Sequence, residues 1–219
     1  MSKPILGYWD IRGLGQPIRY LLKHLSLDFE DRRYKHGLGP DFNREDWLKE
    51  KFSLGLDFPN IPYWIDGDTK LTDSKAILKH LARTYGTDLV PKDPVELAKI
   101  EMLESVIMDV WDLLAIACYE YTEVLLQKLY SLQPLKLKYL SDFIGDGNWF
   151  GGDQLTYVDF LAYETLMTHQ KFDKEFLEPF PNLLHFLETF ENLPAIDDYL
   201  KSSEFIQAPF FTPLARHFI

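Results

Sequence analysis

Cysteine is nearly missing from this 219-residue chain, which holds a single one, Cys118. A lone thiol forms no intrachain disulfide and no CxxC redox pair. The histidines, His24, His36, His80, His169, His185 and His217, are scattered, with no HExxH pattern around them. That spacing argues against a metal site, so these imidazoles are expected at the surface or at an interface. Positive charge is also short: 23 Lys+Arg stand against 34 Asp+Glu, for a net charge of −11 and a pI near 5.0. A nucleic-acid partner needs a basic surface and is not expected. An anionic small molecule would need a local basic cluster to overcome the negative field. No apolar run approaches the roughly 20 residues that cross a membrane. The first residues lack the basic and apolar stretches of a signal peptide. A cytoplasmic protein with no membrane partner is the expectation.

What is present divides the chain in two. Residues 4–9 read as a buried strand, Pro17 suits the first turn of a helix, and Ile18, Leu21, Leu22 and Leu25 recur at helical spacing. Residues 28–35 read as a second strand, followed by a long loop opened by Gly37, Gly39 and Pro40. Pro62-Tyr63-Trp64-Ile65 and Lys70-Leu71-Thr72 flank the turn Asp66-Gly67-Asp68, which predicts a hairpin. Asp73 and Ser74 then cap a helix that Gly86 stops. The order is βαβ, loop, ββα over residues 1–86, with a proline-marked linker at 87–94. Residues 95–219 read as all-helical, with breaks at Pro134, Gly145–Gly152, Pro179–Pro181 and Pro194. Within LTYVDF, Thr156 and Asp159 have capping-box spacing, with Leu155 and Phe160 at the staple positions.

Several stretches could bear chemistry. Arg44, Trp47 and Lys51 recur three and four residues apart, so one helical turn would gather two cations and an indole for a carboxylate. An ordinary solvated turn has the same pattern. Ile61 before Pro62 is forced to be extended, and its backbone could pair with a peptide-like ligand as an added strand. An edge-strand proline explains the same residues. Asp73-Ser74 at a helix start offers free amides for a carboxylate and an acid for an ammonium, although plain capping uses them equally. Tyr8 sits beside Trp9, and strand alternation sends their side chains to opposite faces. A phenol near a bound thiol can donate to the thiolate and lower the thiol pKa from about 8.5 towards neutrality.

In their joint order, ILGYWDIRG, EKFSLGLDFPNIPY, TYVDFLAYE and FPNL make the chain resemble a mu-class glutathione transferase over essentially its whole length. The resemblance implies an α+β thioredoxin-like N-terminal domain followed by an all-α C-terminal domain, and a homodimer. It implies that Tyr8 stabilises the glutathione thiolate, and that Trp9, Arg44, Trp47 and Lys51 hold the glycine end. Asn60 and Ile61, with Pro62 cis, would bind the cysteinyl part, and Asp73 and Ser74 the γ-glutamyl end. Asp109 would reach the partner subunit's site, and Phe58 would insert into the partner. Ile11, Leu14, Met108, Asp112, Tyr119 and the C-terminal tail would line the electrophile pocket. No metal and no cofactor is implied, because glutathione is a co-substrate.

Three residues depart from the family pattern. Asp73 replaces a common glutamine, Lys79 replaces an arginine on the dimer axis, and Asp112 stands where an apolar residue is frequent. Lysine cannot stack as a planar guanidinium does. The implied activity is conjugation of glutathione to hydrophobic electrophiles. A non-catalytic carrier of apolar ligands and a glutathione-dependent isomerase are the competing expectations on the same fold.

Overall fold

The protein is described by a computed structural model over residues 3–217; Met1, Ser2, and Phe218 and Ile219 at the end of the tail lie outside the described residues. Four strands form one sheet: β1 (Ile5–Trp9), β2 (Glu30–Tyr34), β3 (Tyr63–Asp66) and β4 (Thr69–Thr72), in the order β2-β1-β3-β4. β1 pairs with β2 in parallel and with β3 antiparallel, and β3 pairs antiparallel with β4. Helices α1 (Gln16–His24) and α3 (Ser74–Tyr85) connect and follow these strands, and a single turn, α2 (Glu45–Leu48), interrupts the long loop. This is the expected βαβ, ββα order.

β1 is central, and its side chains serve two cores. Leu6 joins Ile18, Leu21, Trp64, Ile77 and Leu81 in a cluster continuous with the helical part of the chain. On the opposite face, Tyr34, Trp47, Leu56 and Tyr63 form a smaller aromatic cluster beneath the long loop. Gly7 makes that second cluster possible. A Cβ there would lie 2.1 Å from the Tyr63 ring, so only glycine lets the tyrosine lie across the strand.

The helical part contains α4 (Pro94–Glu120), α5 (Glu123–Ile144), α6 (Tyr157–Phe172), α7 (Pro181–Glu191) and α8 (Pro194–Lys201). α4 begins inside the expected linker, because Asp93 accepts from the amides of Val95 (2.9 Å) and Glu96 (3.0 Å) and Pro94 occupies the first turn. The expected break at Pro134 does not occur: α5 runs through it. Tyr130 and Pro134 are both exposed, so the carbonyl that loses its partner is within reach of water, while Leu129, Gln133, Leu137 and Leu140 hold the helix on the core. The chain turns instead at Tyr121, whose φ of 44° is left-handed, before Thr122 starts α5.

The cap at α6 is present in a modified form. Asp159 accepts from the Thr156 amide (2.7 Å), the Thr156 hydroxyl (2.9 Å) and the Phe150 amide (2.8 Å). The threonine hydroxyl therefore donates to the carboxyl as well as flanking the helix start. Burial pushes the Asp159 carboxyl up to about 6, against these bonds.

One histidine departs from the surface expectation. His169 is fully buried where α4, α5 and α6 meet. Its Nδ1 lies 2.6 Å from the Thr165 carbonyl, which places the proton on that nitrogen. Its Nε2 faces the Gln133 amide, which also donates to the Val110 carbonyl at 2.9 Å. Burial lowers the imidazole pKa to about 4. Among the described residues, no helix is long and apolar enough to cross a membrane.

Candidate active site

Strand directions gather the candidate residues. β1 ends at Tyr8 and Trp9, beside the end of β2, with Trp9 opposite Tyr34. β3 runs the other way, so its first residue Tyr63 lies opposite Gly7, and β4 returns to place Thr72 opposite Tyr63. The chain from Asn60 to Pro62, and Asp73-Ser74 at the start of α3, therefore emerge at the same end of the sheet as Tyr8. Residues separated by more than 60 positions meet because two antiparallel steps bring the chain back to one edge.

Tyr8 is only 7% exposed. Its hydroxyl accepts from the Leu14 amide at 3.1 Å. Gly13 and Gly15 bracket it: a Cβ on Gly13 would lie 2.8 Å from the hydroxyl, and one on Gly15 would lie 2.5 Å from the ring. Burial is the main influence on its pKa, raising it to about 12 against the Leu14 hydrogen bond. At neutral pH Tyr8 is thus a phenol with a proton to donate. Next to it lies a cavity of about 210 Å³ between the sheet part and the helical part. Ile11, Leu14, Asp112 and Tyr119 line it with Tyr8, together with Trp111, Phe210 and Phe211. Met108 is not in that lining; it packs half-buried on the helical core. The tail supplies part of the wall, because the Arg12 and Gly13 amides donate to the Pro209 (2.9 Å) and Phe210 (3.0 Å) carbonyls. The Tyr119 hydroxyl lies 3.1 Å from Thr212 Oγ1.

The second group of candidates lies along the sheet end. The Trp9 ring packs on His36, with ring centres 4.0 Å apart, and Arg44 is exposed at the start of α2. The Trp47 ring is buried against Tyr34 and Tyr63, at 5.3 and 5.9 Å between centres. The Trp47 indole therefore belongs to the core, while Lys51, beyond the end of α2, lies with its ammonium 5.3 Å from the Phe52 ring centre. The Ile61–Pro62 bond is cis, as the resemblance implied. Asp73 takes a φ of 76° and caps α3 through the amides of Lys75 (3.1 Å) and Ala76 (3.0 Å); Ser74 is buried beside it. One Asp73 oxygen thus serves the cap.

Of the residues expected to meet a partner subunit, Phe58 and Asp109 are exposed and Lys79 is half-buried. Phe58 is 80% exposed. The Asp109 side chain is 71% exposed, 3.8 Å from Lys136. Lys79 turns within the chain to Glu104 at 3.0 Å.

Two arginines escaped the sequence reading. Arg12 is buried in a two-pronged ion pair with Glu164 of α6, Nε–Oε1 2.9 Å and Nη2–Oε2 2.6 Å, and it also donates to the Tyr20 hydroxyl at 2.9 Å. Arg19, fully buried, donates to the Ile11 (2.8 Å) and Trp9 (3.3 Å) carbonyls while paired with Asp31 (3.0 Å). It braces the strand end that presents Tyr8. The one available signal was a lone acid, Glu164, inside the apolar run LAYETLM.

A mixed four-stranded sheet whose end opens on a helical partner, with a buried phenol at their junction, is the arrangement that the resemblance to a glutathione transferase implies. Comparisons with known proteins agree. The family model "Glutathione S-transferase, N-terminal domain" matches residues 4–83, and "Glutathione S-transferase, C-terminal domain" matches residues 108–203. Glutathione S-transferase Mu 1 of Bos taurus is 47% identical over 212 residues, covering 96% of each chain. Glutathione S-transferase Mu 2 of Mus musculus is 45% identical over 219 residues, again covering 96% of each. The crystal structure of the glutathione S-transferase Blo t 8 superposes with a TM-score of 0.87 at 42% identity, covering 97% of this chain and 99% of that one. The chain belongs to the glutathione S-transferase family, and within it to the mu class.

Proposed function

We propose that the protein transfers the thiolate of reduced glutathione to hydrophobic electrophiles, with Tyr8 as the catalytic hydroxyl. The observation that carries this reading is the state of Tyr8: buried, bracketed by Gly13 and Gly15, and kept protonated by a pKa near 12. The Leu14 amide donates to its oxygen, so the phenol proton is free for a ligand. A donor of this kind favours a thiolate over a thiol and lowers the thiol pKa. The thiolate then forms a carbon–sulfur bond, and for a halide the leaving group departs with the bonding pair. Proximity in the adjoining cavity adds to the rate.

The tripeptide would lie along the sheet end. Arg44 and Lys51 supply the local positive charge that an acidic protein needs to hold the glycine carboxylate, with Trp9 and Trp47 beside them. Asn60 and Ile61 would pair with the cysteinyl backbone, and Ser74 at the start of α3 would take the γ-glutamyl carboxylate. Asp73 and the partner subunit's copy of Asp109 would meet the ammonium. Ile11, Leu14, Tyr119 and Asp112 would face the electrophile, with Met108 behind them. A homodimer, using Phe58 and the Lys79 region, and a cytoplasmic location belong to the same reading.

The experiment is turnover with a generic aryl halide and glutathione, followed by product analysis. A thioether product supports the proposal. Binding to immobilised glutathione without turnover would support the carrier reading, and product formation with glutathione unconsumed would support an isomerase.

A further inference from the structure

The cavity beside Tyr8 has a volume of about 210 Å³. A dry cavity of about 150 Å³ holds benzene, so a substituted monocyclic electrophile fits. The charge of its walls is one-sided. Tyr8, Trp111, Tyr119, Phe210 and Phe211 present aromatic rings, Asp112 is the acidic member, and among the described residues no lysine, arginine or histidine lines it. Aromatic faces attract cations, as does a carboxylate, and both disfavour anions.

The surroundings leave that carboxylate available. Burial and the neighbouring Asp109 both raise the Asp112 pKa, and Lys75 is the cation that opposes them. Lys136, the other nearby base, faces Asp109 at 3.8 Å. Asp112 is itself solvent-exposed, beside the buried rings of Tyr8, Trp111, Phe210 and Phe211, so with no cation lining the cavity among the described residues its carboxylate is open to a positively charged occupant. The whole chain, at −11, reinforces the preference at longer range.

We propose that Asp112 is a specificity-determining residue that favours electrophiles bearing a positive charge, such as aryl or benzylic halides with an ammonium or amine substituent, over anionic ones. This rests on the transferase reading for its chemistry, but not for its binding. The reaction is the same substitution: sulfur bonds to the carbon that carries the halogen, and the halide leaves with its electron pair.

The test compares three activated aryl chlorides: (4-chloro-3-nitrobenzyl)trimethylammonium, 4-chloro-3-nitrobenzamide and 4-chloro-3-nitrobenzoate. Each kcat/KM is divided by the rate of the same halide with glutathione in solution, which removes the substituent's electronic effect. The wild-type protein is expected to favour the cation over the anion by at least tenfold. Asp112→Asn should shrink that ratio at least fivefold, and Asp112→Glu should largely keep it. In parallel, equilibrium binding of unreactive benzyltrimethylammonium is followed by tryptophan fluorescence and should weaken at least fivefold in Asp112→Asn. A ratio near one in the wild type, or an equal ratio and equal ammonium binding in Asp112→Asn, overturns the proposal. If no halide is turned over but ammonium binding depends on Asp112, the transferase reading fails and the cation preference stands.

Discussion

Replacing Glu164 by methionine should destabilise the protein through a partner more than 150 residues away. Arg12 is 3% exposed and Glu164 is 1% exposed, and two of the arginine's hydrogen bonds end on the carboxylate, at 2.9 and 2.6 Å. Burial opposes the arginine's charge, but Glu164 and Tyr20 outweigh it and hold its pKa above the ordinary value. Removing the carboxylate strands that cation among Phe205 and Phe210, whose ring centres lie 5.1 and 4.4 Å away. Breaking a buried pair in this way costs about 3–5 kcal/mol. For a chain of this length each kcal/mol moves Tm by roughly 2–4 °C, so a fall of roughly 6–20 °C is expected. The double variant Arg12→Met/Glu164→Met should be milder than the sum of the single changes, with a coupling of at least ~2 kcal/mol. Urea unfolding at one fixed protein concentration measures this, because association shifts apparent stability. Phe210 also lines the cavity beside Tyr8, so KM for the electrophile should rise more than KM for glutathione. A single variant within ~1 kcal/mol of wild type, or strictly additive changes, would refute the reasoning.

Asp159→Ala leaves the buried amides of Phe150 and Thr156 without acceptors, so it should cost at least ~2 kcal/mol and slow refolding while leaving the site contacts intact; unchanged stability with lost glutathione binding would contradict this. His169 stays neutral when folded, down to about 4, whereas the unfolded chain binds its proton near 6.5. Between those values only the unfolded state gains the proton, so stability falls as pH drops from about 6.5 towards 4, by an amount on the order of 3 kcal/mol. The difference in urea midpoint between pH 7 and pH 5 should shrink in His169→Gln, and an unchanged difference would sink the assignment. Gly15→Ala places a methyl 2.5 Å from the Tyr8 ring and should lower kcat by roughly tenfold or more, with a smaller change in KM for glutathione.

The strands, their order and the cap of α6 were legible because each depends on neighbours in sequence. Alternation marked β1, the turn Asp66-Gly67-Asp68 marked the hairpin, and Thr156 with Asp159 marked a helix start. Pro134 misled because proline removes one hydrogen bond, and packing of Leu129, Leu137 and Leu140 outweighs that loss. The turn at Tyr121 was hidden because a left-handed tyrosine has no glycine to announce it. Tyr8 was readable as a candidate, but its availability as a donor depends on the Leu14 amide and on Gly13 and Gly15. The brace of Arg19 and the Arg12–Glu164 pair were not readable, since they are set by how β1, α1 and α6 pack. Asp112 was visible as a departure, and only the cavity gave it a direction.

The central claim is that the Tyr8 hydroxyl stabilises the thiolate of bound glutathione. Its most direct measurement is the pH titration of that thiol in the wild-type protein and in Tyr8→Phe, by ultraviolet difference absorbance, alongside the pH profile of kcat/KM. The account predicts a bound thiol pKa well below the free value of about 8.5 in the wild type. In Tyr8→Phe the thiol pKa should shift upward by about one unit or more, with kcat near pH 7 reduced at least tenfold and glutathione affinity nearly intact. An equal thiol pKa in the two proteins, with full activity of Tyr8→Phe at neutral pH, would contradict it.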